Sequence, residues 1–422
     1  MKKKTILPKV LYVGDKWCLG KKVHGISEWE TNLWKSLKST GLVNLEVFHF
    51  DDYFYQNKKP GDGAFIKKIS TFHPDIICIV IYKKPGADFN VPKWKTLKVI
   101  KNHYKIPIIA IWGDLVTPGQ VKIYKELLPY TTINAATLSA ATVKRMGNPE
   151  KCIYMWVPKD TKIFNNPQKK RDINVSYTGS LKKDRLERIN YLVDNSIPVY
   201  YRGGEREEHL TTSEYADIFK RSKITLSFAR QYFPHYSHVI DARPFEAMNC
   251  GTMVMEEENF ETPKLFIPFV DYVPYTSKKD LLEKVQYYLK HDKERKIIAR
   301  NGYEKVINLY SARRFWELLI ERVMYSSPYN TGDLLSLKLS YLSHMTPWRS
   351  FRLKFLDTIY SKNISFGLFV TIMTIIRKED WEKHIRARTF PTYLYFQKRL
   401  SPGNFKRILK TLKFILHLNT AS

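Results

Sequence analysis

The sequence predicts an α/β protein: two doubly wound, Rossmann-like domains in tandem, facing a cleft, with a basic helical extension after them. Three observations carry this. Short apolar runs alternate with helix-like segments up to about residue 160. The alternation lapses over a polar stretch and restarts at Ile173. Beyond residue 330 basic and aromatic residues take over. Strands separated by helices pair in parallel through right-handed crossovers, and such sheets bind ligands at the carboxyl ends of their strands.

In the first domain, residues 1–160, Val10–Val13 is a short apolar strand ending in Gly14-Asp15. A glycine-containing loop follows, then a helix from Ser27 to Leu37, where Ser27 and Glu30 have capping-box spacing. Leu45–Phe50 is the second strand. Ile76–Tyr82, containing I-I-C-I-V-I, is a third strand buried on both faces. A helix around Trp94–Tyr104 precedes the strand Ile108–Trp112, and short strands follow at Ile133-Asn134 and Ile153–Met155. The polar segment Lys159–Asp172 reads as an interdomain linker.

The second domain, residues 172–326, repeats the scheme. Its strands are Ile173–Tyr177, Val199–Tyr201, Ile224–Phe228 and Thr252–Met255. Helices are expected around Arg185–Val193, Ser213–Arg221 and Asp241–Asn249. The extension, residues 331–422, holds 16 Lys/Arg against 5 Asp/Glu. Phe405, Ile408, Leu409, Leu412 and Ile415 lie at helical spacing among Lys406, Arg407, Lys410 and Lys413. Such a helix suits an anionic membrane surface, or it packs on the body with its basic face in water.

The length of 422 residues suffices for two domains and a further segment. With 44% hydrophobic and 26% charged residues the chain is globular. A net charge of +29 points to nucleic acid, a membrane surface or anionic substrates. No nucleic-acid module is recognisable, so nucleic acid ranks last. The four cysteines form no CxxC pair and have no histidine at ligand spacing, which argues against zinc and disulfides and fits a reducing cytoplasm. The amino-terminal apolar run is too short for a signal peptide, and the stretch Ile364–Ile376 is too short to span a membrane. A cytoplasmic location, with peripheral attachment to the inner membrane face, is expected.

The most telling stretch is D-A-R-P-F-E-A-M-N-C-G, Asp241–Gly251. Arg243 and Glu246 lie three residues apart, so a helix start puts both on one face. A carboxylate suits the vicinal hydroxyls of a ribose; a guanidinium fork suits phosphate. Together they indicate a pocket for a nucleotide diphosphate-sugar, against the alternative of a surface ion pair. Downstream come Asp280-Leu281, Tyr287-Tyr288-Leu289 with His291-Asp292, Arg295 to Gly302, Tyr310-Ser311 and Arg313-Arg314. In that order these motifs, over about residues 172–325, resemble the group 1 type glycosyltransferases, especially their spore-maturation-like branch. The resemblance implies the two-domain GT-B architecture, a nucleotide-sugar as partner and a glycan or lipid-linked glycan as acceptor.

Sugar transfer needs charge stabilisation for the leaving diphosphate and, in inverting enzymes, a base for the acceptor hydroxyl. By resemblance the loop Thr178-Gly179-Ser180 lies against the donor, and Glu246 is expected on the ribose. Arg185, Arg202, Arg243 and Gly251 complete the expected donor site, and Lys183 and Arg230 are further cations. The family often carries a second Glu eight residues before Glu246. Here that position is His238, which contacts the donor or caps a loop. Asp114 closes I-W-G-D at a strand end, similar to the branch's W-x-x-D with one residue fewer, where an acceptor or base is expected. Its alternative role is a helix cap. His24 lies in the loop after the first strand; histidine is a residue type suited to base work, and its alternative is a loop residue with no special role. No D-x-D stands at a strand end, so no metal and no cofactor is expected. A GT-B nucleotide-sugar epimerase and a non-catalytic binding or scaffold protein are the rival readings.

Overall fold

The computed structural model describes residues 7–113, 118–136, 151–167, 170–181, 183–203, 210–228, 240–259 and 262–325. The extension 331–422 lies outside the described residues. The described residues up to Thr262 and from Phe269 on belong to one compact unit, and Pro263–Pro268 falls to another.

The first sheet has six strands: β1 Lys9–Val13, β2 Asn44–Phe48, β3 Ile76–Ile81, β4 Ile108–Trp112, β5 Ile133–Ala136 and β6 Cys152–Tyr154. Their order is β2-β1-β3-β4-β5-β6, and every pair is parallel. Both β3 and β4 are buried along their whole length, as continuous apolar runs in a covered sheet should be. The expected second strand stops early. Phe50 starts a helix, Phe50–Asn57, whose first turn carries Asp51 and Asp52, the charge that a helix amino terminus favours.

The capping box at Ser27 is only half made. Ser27 Oγ accepts from Trp29 N at 3.3 Å, but Glu30 turns inward at the start of a π-helical turn, Glu30–Lys35. Its carboxylate lies 3.2 Å from His49 Nε2, while His49 Nδ1 is 2.8 Å from Gly14 O. Burial works against charge on both groups. The pairing outweighs it, raising the imidazole and lowering the carboxyl relative to their ordinary values.

The second sheet comprises β7 Ile173–Thr178, β8 Val199–Arg202, β9 Ser222–Ser227, β10 Met253–Glu257 and β11 Val273–Tyr275, in the order β11-β10-β9-β7-β8, all parallel. Helices Lys183–Asp194, Thr212–Arg221, Arg243–Asn249, Lys278–Lys290 and Asp292–Leu309 connect or cover its strands. The capping box that failed at Ser27 is complete at Thr211 and Glu214. The final helix, Ala312–Tyr325, departs from the expected second domain. It packs on the first, with Trp316 Nε1 donating to Ser36 Oγ at 3.1 Å and Arg313 to Thr40 O at 3.0 Å.

The expected linker is not a solvated tether. Lys159, Asp160 and Phe164 within it are buried, as is Trp156 just before it. The Trp156 ring lies 5.2 Å from Tyr310 and 5.9 Å from Phe315. Arg171, at the far end of the segment, staples the amino-terminal edge of the second sheet. Its Nη1 donates to Phe219 O, Ser222 O and Thr252 Oγ1, and its Nη2 to Cys250 O, all between 2.6 and 2.9 Å. Burial, with Arg295 nearby, lowers its pKa to about 10. Arg171→Ala should cost about 3–5 kcal/mol, because it leaves several buried acceptors unmatched. Urea unfolding of the variant measures this.

Candidate functional site

The carboxyl edge of the second sheet gathers most of the expected donor residues. Arg243 opens its helix with Pro244 behind it, and the whole helix Arg243–Asn249 is buried. Pro at the first turn sets the helical φ and loses no hydrogen bond there. The Arg243 guanidinium lies 5.1 Å from the Tyr177 ring centroid. Its Nε donates to Thr178 O at 3.1 Å and its Nη1 to Asp241 Oδ2 at 3.1 Å. Burial opposes its charge, but Asp241 and the surrounding hydroxyls and carboxylate hold it firmly protonated.

Gly179 follows β7 with φ +128°, and a Cβ there would sit 2.9 Å from Arg243 Nη2. The backbone is thus open toward the guanidinium, and only glycine takes this φ without strain. Gly179 N donates to Arg202 O at 3.3 Å, which ties the loops after β7 and β8 together. Thr178 Oγ1 in the same turn is buried without a partner among the described residues. A buried hydroxyl left over beside a fixed guanidinium is what a polar ligand would satisfy.

Glu246 lies on the same helix as Arg243 but is spoken for in a way its sequence context does not show. Its Oε1 accepts from Lys159 Nζ at 2.6 Å and its Oε2 from the Tyr215 hydroxyl at 2.7 Å. Glu246 and Lys159 are each only 3% exposed. A carboxylate has about four acceptor sites, so two bonds leave capacity for ribose hydroxyls. The segment joining the domains therefore supplies the cation that neutralises the expected ribose carboxylate.

Other expected residues act differently. Arg185 is buried and turned onto the loop itself: its Nη1 donates to Ser180 O at 3.2 Å and to the Tyr177 hydroxyl at 3.0 Å. The Ser180 carbonyl also accepts from the Tyr177 hydroxyl at 3.1 Å, so Arg185 and Tyr177 brace the loop expected at the donor. Gly251 corrects the expectation. It ends the helix that Arg243 starts, at the amino-terminal edge of the sheet, with φ +69°. A Cβ there would meet the Asn166 side chain at 2.4 Å, so its role is close packing of the interdomain segment. His238, Arg230 and Asp114 lie outside the described residues, and so does the Lys183 side chain. Among the described residues no group of three His, Cys, Asp or Glu side chains could hold a metal ion.

At the carboxyl edge of the first sheet the structure adds Asp15 to His24. Asp15 follows β1, accepts a hydrogen bond from the Tyr82 hydroxyl, and keeps Oδ1 buried without a partner among the described residues. Burial pushes its carboxyl up to about 7. His24 sits half-buried in the next turn, Lys22–His24.

A second raised carboxyl is Glu256, at the end of β10, which accepts from Ser227 Oγ at 2.9 Å and Asn259 Nδ2 at 3.3 Å. Burial raises it from 4.5 to about 7. Between these values the folded state holds the extra proton. The stability it contributes is therefore complete below about pH 4.5 and lost as pH rises through about 7. Glu256→Gln should flatten this segment of the melting-temperature profile and stabilise the protein above pH 7 by about 3 kcal/mol. Melting curves across the range check it.

The fold these elements make is GT-B: two parallel-sheet α/β domains. It is shared with an α-glucosyltransferase whose structure holds UDP-glucose and DNA with an abasic site, at a TM-score of 0.53 and 8% identity, over 75% of this chain and 99% of that one. HepE from Anabaena, in complex with UDP and glucose, aligns at a TM-score of 0.48 and 12% identity, over 75% and 100% of the two chains. Sucrose-phosphate synthase from Thermosynechococcus elongatus aligns at 0.48 and 13%, over 76% and 100%. In sequence, residues 167–321 match the glycosyl transferase-like family. No curated protein matches the chain.

Proposed function

We propose that this protein is a glycosyltransferase of the spore-maturation-like branch that moves a sugar from a nucleotide-sugar to a glycan or lipid-linked glycan in glycoconjugate synthesis. The observation that carries the reading is Arg243, fixed over Tyr177 and opening onto Gly179, one helical turn from Glu246. All four residues fall within the segment that matches the glycosyl transferase-like family. In this reading Glu246 takes the ribose, and Arg243 with the backbone N–H of Ser180 takes the diphosphate as its charge develops, with no metal required. Asp15 or His24, after β1, takes the acceptor proton if the reaction inverts. A hydroxyl proton needs a base poised near the working pH, and Asp15 is held there by burial.

The test is a thermal-shift series with UDP, GDP, ADP, CMP and TDP, followed by product analysis with the donor that binds. A ligand that binds only the folded state raises the melting temperature. The expected result is a clear rise with one nucleotide and sugar release that depends on an acceptor. Isomerised donor without acceptor would assign the chain to the epimerases. A well-folded sample that no nucleotide stabilises would overturn the donor site.

A further inference from the structure

The loop between β1 and the first helix is pinned at its base from several sides. Ser27 N donates to Lys16 O at 2.8 Å and Cys18 N to Gly25 O at 2.9 Å, and Trp17 pairs with Ile26 as an antiparallel bridge. Both backbone N–H groups of Lys16 and Trp17 donate to the buried Asp51 carboxylate, at 3.1 and 2.9 Å. The Tyr55 hydroxyl donates to Gly20 O at 3.2 Å.

A loop tied this firmly would be expected to tuck its apolar side chains inward. It does the reverse. Leu19 is 63% exposed, Val23 83% and Ile26 49%, and the first two of these are the most exposed large apolar side chains among the described residues. Lys21 and Lys22 are exposed between them. Lys16 and Lys22 stand 5.1 and 5.4 Å from the Trp17 ring. Across residues 16–28 three lysines face one acid, Glu28.

We infer that this loop is a docking tip for an anionic lipid surface. Apolar side chains spaced by lysines on a pinned, exposed loop match the boundary between headgroups and acyl chains. Leu19, Val23 and Ile26 enter the acyl side while the lysines stay with the phosphates. The net charge of +29 favours approach to such a surface over approach to a neutral one. The contact is read by lipid binding alone, whether or not the chain transfers sugar. For a transferase it would bring the segment carrying Asp15 and His24 to the bilayer, where a lipid-linked acceptor resides.

The test is sedimentation of the full chain with vesicles of phosphatidylcholine and phosphatidylglycerol at two to one, and with phosphatidylcholine alone. The wild type should sediment only with the anionic vesicles. Leu19→Ser/Val23→Ser/Ile26→Ser should lower the partition coefficient about tenfold or more, by removing the apolar contact. Lys21→Gln/Lys22→Gln should lower it about fivefold per lysine. Amide exchange over residues 19–26 of the wild type should slow on the anionic vesicles, a readout that needs no variant. Undiminished binding of the triple variant would overturn the inference and leave the surface contact to residues 331–422. So would a wild type that ignores phosphatidylglycerol, leaving a protein partner as the occupant.

Discussion

Replacing Glu246 by Ala is expected to destabilise the protein by about 3–5 kcal/mol as well as to abolish nucleotide binding, because the substitution strands a buried Lys159 charge. The ammonium lies 2.6 Å from Glu246 Oε1, and the Tyr215 hydroxyl loses its acceptor as well. Loss of activity in this variant alone would therefore say little about the donor. The discriminating variant is Lys159→Met with Glu246→Leu. Replacing both members of a buried ion pair by apolar groups of similar volume is often neutral or stabilising. The double variant should recover most of the wild-type urea midpoint and still show no melting-temperature rise with the nucleotide that binds the wild type. Recovery of both stability and nucleotide binding would make Glu246 a purely structural residue.

The sheets were more legible in the sequence than the site. The strand Ile108–Trp112 is read to the residue, and β3 to within one, because continuous apolar runs between helix-like segments have few other homes in a parallel sheet. The helix Arg243–Asn249 is also found, since Arg243 and Glu246 stand at helical spacing and a small-residue turn ending at Gly251 precedes the next apolar strand. The sequence places Phe50 in a strand, because an aromatic at the end of an apolar run outweighs the weaker signal of two aspartates after it. Partners distant in sequence stayed hidden. Lys159 lies 87 residues from Glu246, and Tyr82 lies 67 from Asp15. No local spacing rule connects them; only the closed sheets bring them together. Polarity also misled. Lys159 and Arg171 made their segment look like a solvated linker, whereas each is an internal tie matched to a specific acceptor. Gly251 was placed with the donor by its motif, yet the helix carries it one full length away from Arg243, to the opposite edge of the sheet.

The same helix makes Arg243 the most exacting position in the proposed site. Arg243→Lys keeps the positive charge and is expected to lower transfer by about a hundredfold to a thousandfold, the cost of losing one well-aimed donor to a developing anion. The reason is geometric. The guanidinium spends Nε on Thr178 O and Nη1 on Asp241, and Nη2 remains against Gly179. The three hydrogens of an ammonium radiate from one nitrogen, so it cannot span the two anchors that Nε and Nη1 reach separately and also meet the loop. Gly179→Ala approaches the same point from the other side. Its Cβ would lie 2.9 Å from Nη2 at a φ of +128°, so the loop or the guanidinium must move, and Tyr177 and Asp241 resist the latter. Both variants should retain the Lys159–Glu246 pair and weaken binding of the nucleotide that binds the wild type, and each should also lower the melting temperature, the lysine by leaving a buried acceptor unmatched and the alanine by backbone strain. Titration calorimetry would show the two losses. If each variant binds the nucleotide as the wild type does, the diphosphate does not sit at the Gly179 turn, and the donor would have to be sought away from this edge of the second sheet.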